Sequence, residues 1–406
     1  MVDVELNGDV ASGYEPVVDA FLANFDGPVP EVGAACSVYV DGRQVVDVWA
    51  GDSDGHGTPW DRNTIVGVAS TTKGMAGIAV NLLAARGLLD LDAPAAEVWP
   101  EFAAQGKADV PVRMLVSHQA GLPYWDEPIT LDEFLVGEVP TERLAAQRPV
   151  WEPGTAFGYH AITYGWLAGE IVRRLTGLSI GAFFDAEIAQ PLGLRCWIGL
   201  PEDQHRHVAE SVSTPPGSGH ADLPEHPLLP SLVEMMTLMA DPTSLTRRAF
   251  DLSGSLPLVP PAEPDPEGQR RMWQAELAGI GGICDARSLA RMYAACLSEL
   301  DGVRLLDDGT ARDAATPQNA EGPDLITRWP AVWGTGFMLP SAASRMLTST
   351  SFGYPGTGGS AGYADPLTGA SFGYVCNRMG PTAFLDPRKQ RILAALRRLL
   401  GVADDA

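Results

Sequence analysis

Apolar residues at the N-terminal end of the chain repeat with two different periods. Between positions 16 and 25 they recur every three to four residues, which predicts one face of a helix. Residues 35–40 and 43–49 are rich in strand-forming side chains, and the Asp41-Gly42 dipeptide between them is typical of a two-residue hairpin turn. The sequence therefore predicts a helix followed by two antiparallel strands.

The C-terminal end of the chain has a similar arrangement. Residues 360–364 and 370–377 are predicted as strands, and a closing helix carries a stripe of isoleucine and leucine between positions 392 and 400. We interpret the five basic residues between positions 388 and 398 as a solvated helix face. Because both ends supply antiparallel strands and a helix, we predict one sheet built jointly from the two termini.

The middle of the chain has a different pattern. Residues 95–274 are helical or irregular, with proline-rich stretches at 214–230 and 256–266 that are typical of lids, binding walls or linkers. The predicted fold class is α+β, with an antiparallel sheet flanked by helices. Residues 1–94 and 275–406 form this discontinuous lobe, residues 95–274 form an inserted, mostly helical lobe, and a cleft lies between them.

Composition and charge exclude several classes of partner. Hydrophobic residues make up 45% of the 406 positions, and 28 basic against 51 acidic residues give a formal charge of −23. Such an acidic surface repels phosphate backbones and anionic lipids, so we expect no nucleic acid and no membrane partner. The five cysteines are scattered without a CxxC pair, and no export signal is visible, which indicates free thiols in the cytoplasm.

The strongest chemical signal is the tetrad Ser70-Thr71-Thr72-Lys73, which follows an apolar run and opens a predicted helix. Ser70 and Lys73 lie three positions apart, so a helix projects both side chains to the same side. The positive end of the helix favours an alkoxide over an alcohol and a neutral amine over an ammonium. A serine nucleophile with a lysine base needs this combination. The alternative is a serine N-cap beside a surface lysine.

Lysine usage favours the catalytic interpretation. The chain has only three lysines, Lys73, Lys107 and Lys389, against twenty-five arginines. Arginine does not release its proton near neutral pH, whereas a desolvated lysine does. A lysine at position 73 of an arginine-dominated chain therefore indicates proton transfer.

These residues, together with further motifs, resemble the serine β-lactamase and penicillin-binding-protein superfamily. The similarity is greatest to its class C-like esterases, the family VIII carboxylesterases. The matching motifs are residues 70–73, 87–92, 115–122, 151–154, 159–161 and 363–366. The resemblance covers residues 32–378 and implies a β-lactamase/transpeptidase-like fold that performs acyl transfer on a serine.

The resemblance also implies roles for single residues. It makes Tyr159 the proton shuttle between the Ser-Lys pair and the leaving group, the alternative being a buried packing tyrosine. It implies an oxyanion hole formed by the backbone N–H groups of Ser70 and Thr357, because developing negative charge needs preoriented donors.

The chain departs from the family pattern at two positions. Ala161 stands where the second motif, Tyr-x-Asn, has its asparagine, so the amide that would hold a β-lactam side chain is missing. Residues 354–356, Tyr-Pro-Gly, align with the family's Lys-Thr-Gly, so no ammonium is available for a substrate carboxylate. Both departures weaken a β-lactamase interpretation and leave acyl transfer intact.

Candidate pocket residues follow from the same motifs and from the aromatic content. They are Tyr354, Gly356, His160 and Trp333. His160 follows Tyr159 and is a candidate for tuning it, whereas His118 is predicted to hold a helix-to-loop junction. Further tryptophan and methionine residues either wall an apolar acyl pocket or pack in the core: Trp273, Trp329, Met235, Met236 and Met239.

A second serine motif competes with the tetrad. Residues 358–362 fit the G-x-S-x-G nucleophile elbow, but that fold needs a histidine after the serine, and all seven histidines precede Ser360. Pro366 also blocks the helix that should follow. We therefore interpret Ser360 as non-catalytic. The histidines form no HExxH or similar cluster, so we expect neither a metal nor a cofactor.

The sequence thus predicts an enzyme, a serine hydrolase that cleaves small-molecule carboxylic esters through an acyl-enzyme on Ser70. The alternatives on the same site are an amidase or peptidase, an acyltransferase and, after these, a β-lactamase. The alternative from another class is a non-catalytic binding protein of the same fold, which would be expected to have lost Ser70, Lys73 or Tyr159. The sequence leaves the oligomeric state open.

Overall fold

The structure, a computed structural model, describes residues 4–26, 30–214, 227–257, 265–380 and 386–402. Large parts of the proline-rich stretches 214–230 and 256–266 lie outside the described residues. The strands are β1 (Leu6–Val10), β2 (Gly33–Val40), β3 (Arg43–Gly51), β4 (Val66–Gly67), β5 (Cys196–Ile198), β6 (Gly282–Cys284), β7 (Gly322–Pro323), β8 (Pro330–Ala331), β9 (Phe352–Pro355), β10 (Ala361–Asp365) and β11 (Ala370–Cys376). The α-helices are α1 (Glu15–Leu22), α2 (Thr72–Ala85), α3 (Ala95–Val98), α4 (Val112–Val116), α5 (Leu131–Val136), α6 (Glu138–Ala146), α7 (Tyr164–Thr176), α8 (Ile180–Phe184), α9 (Gln190–Leu192), α10 (Leu229–Ala240), α11 (Leu245–Asp251), α12 (Pro266–Gln274), α13 (Ala286–Ala295), α14 (Asp308–Ala314) and α15 (Pro387–Leu399).

The main sheet has six antiparallel strands in the order β1-β3-β2-β11-β10-β9. Strand β2 from the N-terminal part pairs along its length with β11 from the C-terminal part, so the prediction of one sheet built from both ends is confirmed. The hairpin between β2 and β3 turns at Asp41 (φ 49°) and Gly42 (φ 74°). Two successive positive φ angles are the turn that Asp-Gly favours.

Helices cover both faces of this sheet. Ala34, Cys36 and Val38 of β2 pack with the apolar side chains of α1 and α15, whereas Ala35 and Tyr39 pack with those of α13. Because successive strand residues point to opposite faces, α1 and α15 lie on one side and α13 on the other.

The interpretation of the closing helix as a solvated basic face was wrong for three of its five basic residues. Arg388, Lys389 and Arg397 of α15 are only 2%, 1% and 7% exposed. The guanidinium of Arg388 forms ion pairs with the buried carboxylates of Glu31 and Asp386. Glu31 lies 357 residues away in sequence, and no local pattern on the helix reports such a partner.

Helix α2 lies at the centre of the molecule and joins the predicted lobes. Its residues from Thr72 to Leu83 are all buried, including the polar side chains of Lys73 and Asn81. It packs on α7 and α8 of the predicted inserted lobe. A three-stranded sheet, β4-β6-β5, also pairs a strand from that lobe with two from outside it. The lobe boundaries at 94/95 and 274/275 remain a prediction.

The cysteines, possible membrane-spanning helices and possible metal ligands were compared with expectation only in the residues that the structure describes. All five cysteines are buried and unpaired, which confirms their prediction as free thiols. No helix there is both long and apolar enough to span a bilayer. In the same ranges, no group of three or more His, Cys, Asp or Glu side chains is arranged to hold a metal ion.

Candidate active site

Ser70 lies in a single 3₁₀ turn, Ala69–Thr71, between β4 and α2. The preceding residue, Ala69, has a φ of 46°, a left-handed conformation that costs a non-glycine residue about 1–3 kcal/mol. Neighbouring backbone holds this turn in place. The Val68 N–H donates to the Gly282 carbonyl at 2.9 Å, and the Gly282 N–H donates to Thr72 Oγ1 at 2.7 Å. Strand β6 therefore forms hydrogen bonds to the residues on both sides of the turn that carries Ser70.

Lys73 has no exposed surface and faces Ser70. Its Nζ donates to the carbonyls of Ala161 at 2.6 Å and Gly279 at 2.8 Å, and lies 3.4 Å from Ser70 Oγ. Burial lowers the pKa of the amine well below 10.5, and no carboxylate is among its hydrogen-bond partners in the described residues. A neutral amine has two N–H bonds, which the two carbonyls occupy. Its lone pair is then left for the Ser70 hydroxyl.

Tyr159 approaches Ser70 from another direction. Its hydroxyl donates to Ser70 Oγ at 2.7 Å. Burial raises the pKa of the phenol well above 10, so Tyr159 is protonated near neutral pH. Ser70 Oγ therefore lies between the Tyr159 hydroxyl, which donates to it at 2.7 Å, and Lys73 Nζ at 3.4 Å.

Asp324 supports Tyr159, a role that no sequence pattern predicts. Its Oδ1 accepts the backbone N–H groups of Tyr159 at 3.0 Å, Ile326 at 2.9 Å and Thr327 at 2.8 Å. The side chain is fully buried, and burial raises the pKa of its carboxyl group. A single aspartate in an irregular segment, 165 residues after Tyr159, carries no sequence signal of this contact.

Tyr354 and His118 form a buried hydrogen-bonded pair near Tyr159. The Tyr354 hydroxyl lies 2.7 Å from His118 Nε2, and the rings of His118 and Tyr159 are 5.1 Å apart. His118 lies two residues after the last residue of α4 and has a φ of 62°, in agreement with its predicted place at a helix-to-loop junction. The sequence motifs predict Tyr354 only as a pocket residue and predict no partner for His118.

The other candidate pocket residues lie behind the cavity wall. His160 is fully buried, and its Nε2 accepts the Leu122 N–H at 2.9 Å. Trp333 stacks on Tyr159 with the ring planes 3° apart and the centroids at 5.6 Å. At Gly356, an added Cβ would come within 2.2 Å of the Val68 carbonyl oxygen. A glycine is needed there because the turn after β9 lies directly against the nucleophile turn.

The turn after β9 presents Thr357 to the same cavity as Ser70. Among the described residues, the Thr357 backbone N–H has no protein acceptor. The next carbonyl, that of Gly358, accepts from Arg388 Nη2 at 2.7 Å and from the Gly380 N–H at 3.0 Å. Arg388 is itself held by its buried ion pairs with Glu31 and Asp386. This buried cluster therefore positions the loop that carries Thr357.

Ser360 has a structural position. Its Oγ donates to the Val68 carbonyl at 2.9 Å and lies 3.2 Å from Thr71 Oγ1, and the residue is 3% exposed. Ser360 therefore connects the start of β10 by hydrogen bonds to the turn Ala69–Thr71, which carries Ser70. The neighbouring Gly359 has a φ of 122° and packs against Arg388, which accounts for part of the G-x-S-x-G pattern without catalysis.

A cavity of about 430 Å³ opens directly on Ser70. Within the described part of the chain, its wall contains no charged residue, and three of the proposed tryptophan and methionine residues contribute to it. The wall consists of Ala69, Ser70, Tyr159, Ala161, Ile162, Leu232, Met235, Met236, Phe250, Ile280, Thr327, Trp329, Met338, Tyr354, Pro355 and Thr357. Trp273 and Met239 are not part of the wall.

Comparison with known proteins identifies the family. The sequence model of the family described as Beta-lactamase matches residues 20–397. The chain belongs to this family. It is 35% identical over 373 residues to the "Esterase/beta-lactamase LipL" of Mycobacterium tuberculosis, which covers 89% of this chain and 81% of that relative. The predicted superfamily is thereby confirmed.

Solved structures show the same fold along almost the whole chain. A structure described as a family VIII carboxylesterase superposes with a TM-score of 0.83 at 33% identity, covering 97% of this chain and 100% of the other. EstA from Arthrobacter nitroguajacolicus Rue61a superposes with a TM-score of 0.80 at 30% identity, covering 97% and 98%. The predicted β-lactamase/transpeptidase-like α+β fold is confirmed.

Proposed function

We propose that this protein is a carboxylesterase that forms an acyl-enzyme on Ser70. The observation that carries the proposal is the position of Ser70 Oγ, 2.7 Å from the Tyr159 hydroxyl and 3.4 Å from Lys73 Nζ, at a cavity whose described wall is uncharged. The names of similar proteins, an esterase/β-lactamase and a family VIII carboxylesterase, support the same reaction class.

Acylation begins with the Ser70 proton. The neutral amine of Lys73 accepts it while Oγ attacks the ester carbonyl. The negative charge that develops on the carbonyl oxygen is stabilised by the backbone N–H groups of Ser70 and Thr357. As the carbon–oxygen bond to the alcohol breaks, Tyr159 donates its proton to the leaving oxygen, and the Lys73 ammonium returns a proton to Tyr159. The net result is transfer of the Ser70 proton to the alcohol.

Deacylation uses the same groups in the reverse order. A water molecule takes the place of the departed alcohol and attacks the acyl carbonyl. It passes one proton to the Tyr159 oxygen while the Tyr159 proton moves to Lys73. The tetrahedral intermediate collapses with return of a proton to Ser70 Oγ, which releases the carboxylic acid. No metal and no cofactor takes part in these steps.

The cavity favours small, neutral, apolar esters. Its described wall offers methionine, isoleucine and aromatic surface and no cation for a substrate carboxylate. Losing a charge-assisted contact to such a carboxylate costs about 1.5–3 kcal/mol, which weakens binding by about one to two orders of magnitude. An alkoxide also leaves more readily than an amine. We therefore expect esters to be turned over far better than β-lactams, peptides or simple amides.

The test is covalent labelling of the serine. A p-nitrophenyl phosphonate should attach to Ser70 in the wild-type protein, as located by peptide mass spectrometry, and Ser70→Ala should abolish both the label and the turnover of short p-nitrophenyl esters. Ser360→Ala is the matched control and should still be labelled. A label elsewhere, or more than a few per cent of wild-type turnover in Ser70→Ala, would refute the assignment of Ser70.

The substrate class has its own test. Values of kcat/KM for short p-nitrophenyl esters should greatly exceed those for nitrocefin and for a simple amide. A nitrocefin value that is comparable or higher would mean that the protein acts as a β-lactamase. Efficient transfer of the acyl group to an added alcohol would favour an acyltransferase.

We also propose that the protein acts in the cytoplasm without a nucleic-acid or membrane partner. Support comes from the net charge of −23 and from five buried, unpaired cysteines. Fractionation of the producing cells tests the location, and recovery of the protein in the membrane or extracellular fraction would contradict it.

A further inference from the structure

Three tyrosine rings surround the amine of Lys73. Its Nζ lies over the ring of Tyr159, 4.7 Å from the ring centroid, and over the rings of Tyr164 and Tyr354, 5.9 Å from each centroid. All three side chains are buried. The face of an aromatic ring attracts a cation within about 6 Å of its centroid, and the attraction is stronger where water is excluded. The three tyrosines therefore form an aromatic cage around Nζ.

Among the described residues, no carboxylate pairs with this amine. The hydrogen-bond partners of Nζ are Ser70 Oγ and the carbonyl oxygens of Ala161 and Gly279. The buried carboxyl group of Asp324 is engaged elsewhere, because its Oδ1 accepts three backbone N–H groups, including that of Tyr159. A positive charge on Nζ is therefore not neutralised by an ion pair.

The two histidines near the cage carry no charge near neutral pH. The ring of His118 lies 5.1 Å from that of Tyr159 and 5.6 Å from that of His160. Burial lowers the pKa of His118 well below 6.5 and that of His160 to about 4, so both rings are neutral. An ammonium on Lys73 therefore has ring faces and carbonyl oxygens as its close neighbours.

The ring faces act on one protonation state of Lys73. A neutral amine gains little from a ring face. When Nζ takes the proton from Ser70 Oγ it becomes an ammonium, the form that burial disfavours. The rings attract this ammonium and leave the neutral amine almost unaffected. Their effect therefore falls on the state that follows proton transfer, and an interaction of this kind accelerates a reaction.

We propose that the ring faces of Tyr164 and Tyr354 stabilise the ammonium that Lys73 forms during acylation, which makes both tyrosines positioning residues. The proposal rests on the proposed function of Ser70 and deepens it. The proton moves from Ser70 Oγ to Nζ and later through Tyr159 to the leaving alcohol, while the cage forms and breaks no bond. Tyr354 aligns with the lysine of the family's Lys-Thr-Gly motif. The chain thus has a ring face where a second ammonium would repel that of Lys73.

Fluorination at position 164 tests the cage with little change in its shape. Tyr164 is not part of the cavity wall, so the direct contacts of the substrate are retained. The variants are Tyr164→Phe and its mono-, di- and trifluorinated analogues, because each fluorine draws electron density from the ring face. All of them lack the hydroxyl that contacts the Lys73 carbonyl at 3.3 Å, so Tyr164→Phe is the reference. The measurement is kcat/KM for p-nitrophenyl butyrate over a range of pH.

Weaker attraction destabilises the ammonium, so the pKa of Lys73 should fall as fluorines are added. Between Tyr164→Phe and the trifluorinated ring, we expect the acidic limb of kcat/KM to move about 0.3 to 1 pH unit lower and the plateau to fall about 2- to 10-fold. Loosened packing acts in the opposite direction, because entering water hydrates the ammonium and raises the pKa of Lys73. An acidic limb that stays in place along the series, or moves to higher pH, would overturn the proposal.

Position 293 supplies the matched control. Tyr293 is fully buried and its hydroxyl lies directly against Gly74 of α2, the residue after Lys73. Its ring is not among those that lie over Nζ in the described residues. The same series starting from Tyr293→Phe should leave the acidic limb in place, whereas the series at Tyr354 should move it to lower pH. A limb that responds equally at position 293 would contradict the proposal.

Phosphonate labelling of Ser70, measured in parallel, separates the cage from the proposed function. Failure of the wild-type protein to take the label on Ser70 refutes the proposed function. A wild-type protein that is labelled on Ser70, with an acidic limb that fluorination at positions 164 and 354 does not move, refutes only the cage.

Discussion

Replacing Lys73 with arginine tests whether this residue acts as a base or only as a fixed positive charge. Arginine retains N–H donors for the carbonyls of Ala161 and Gly279, which now accept from Nζ at 2.6 and 2.8 Å. It does not accept the Ser70 proton near neutral pH, because the guanidinium keeps its charge up to very high pH. Lys73→Met is the comparator, since methionine has a similar length and neither charge nor basicity.

The expected magnitudes follow from the surroundings of the amine. A positioned general base contributes about 10²- to 10⁴-fold to a rate, or about 2.7–5.5 kcal/mol of activation free energy. Lys73→Arg should therefore lose about as much kcat/KM as Lys73→Met. Stability should differ, because arginine is forced to bury a charge at a site where Lys73 makes no contact with a carboxylate. Lys73→Arg should consequently have the lower Tm of the two.

The pH dependence supplies an independent measurement. Burial lowers the pKa of Lys73 well below 10.5 in the folded enzyme, whereas the unfolded chain binds this proton up to about that pH. The unfolded state then binds more protons in the interval between the two pKa values, so stability rises with pH across it. Lys73→Met should remove this contribution from the pH dependence of the free energy of unfolding. In the wild type, kcat/KM should fall on the acidic side as Lys73 becomes protonated.

The assay is kcat/KM for a short p-nitrophenyl ester over a range of pH, together with Tm for each variant. A Lys73→Arg enzyme with more than about a tenth of wild-type kcat/KM would show that charge, not proton acceptance, is what position 73 supplies. An acidic limb that persists in Lys73→Arg would assign that titration to another group.

Three further substitutions test the surroundings of the nucleophile. Tyr159→Phe keeps the ring packing and should lower kcat/KM by about 10²- to 10⁴-fold with little change in Tm, and a normal rate would mean that Tyr159 does not carry the proton. Ser360→Ala loses the bond to the Val68 carbonyl and should cost about 1–3 kcal/mol in denaturant unfolding while most ester turnover remains; covalent label on Ser360 would contradict this. Arg388→Lys disrupts a buried ion cluster and the contact to Gly358, so it should lower both kcat and the free energy of unfolding, the latter by about 3–5 kcal/mol. Wild-type kcat in that variant would show that Arg388 does not position the Thr357 loop.

The sequence by itself determined the parts of this protein that depend on neighbouring residues. Asp41-Gly42 specifies its hairpin because the two residues tolerate the positive φ angles that the turn requires. Ser70 and Lys73 were found together because a spacing of three on a helix brings their side chains to one side. The sheet shared by the two ends followed from strand patterns that each end carries locally.

Only the tertiary structure decided the contacts between residues that are distant in the chain. Asp324 holds Tyr159 across 165 positions, and His118 reaches Tyr354 across 236. The charges on α15 were misinterpreted for the same reason, since the burial of Arg388 depends on a carboxylate 357 residues away. Periodicity and spacing report which face of an element is apolar, but they do not report which remote polar group that face meets. In this protein the nucleophile and its base are local in sequence, and the groups that orient them are brought together only by folding.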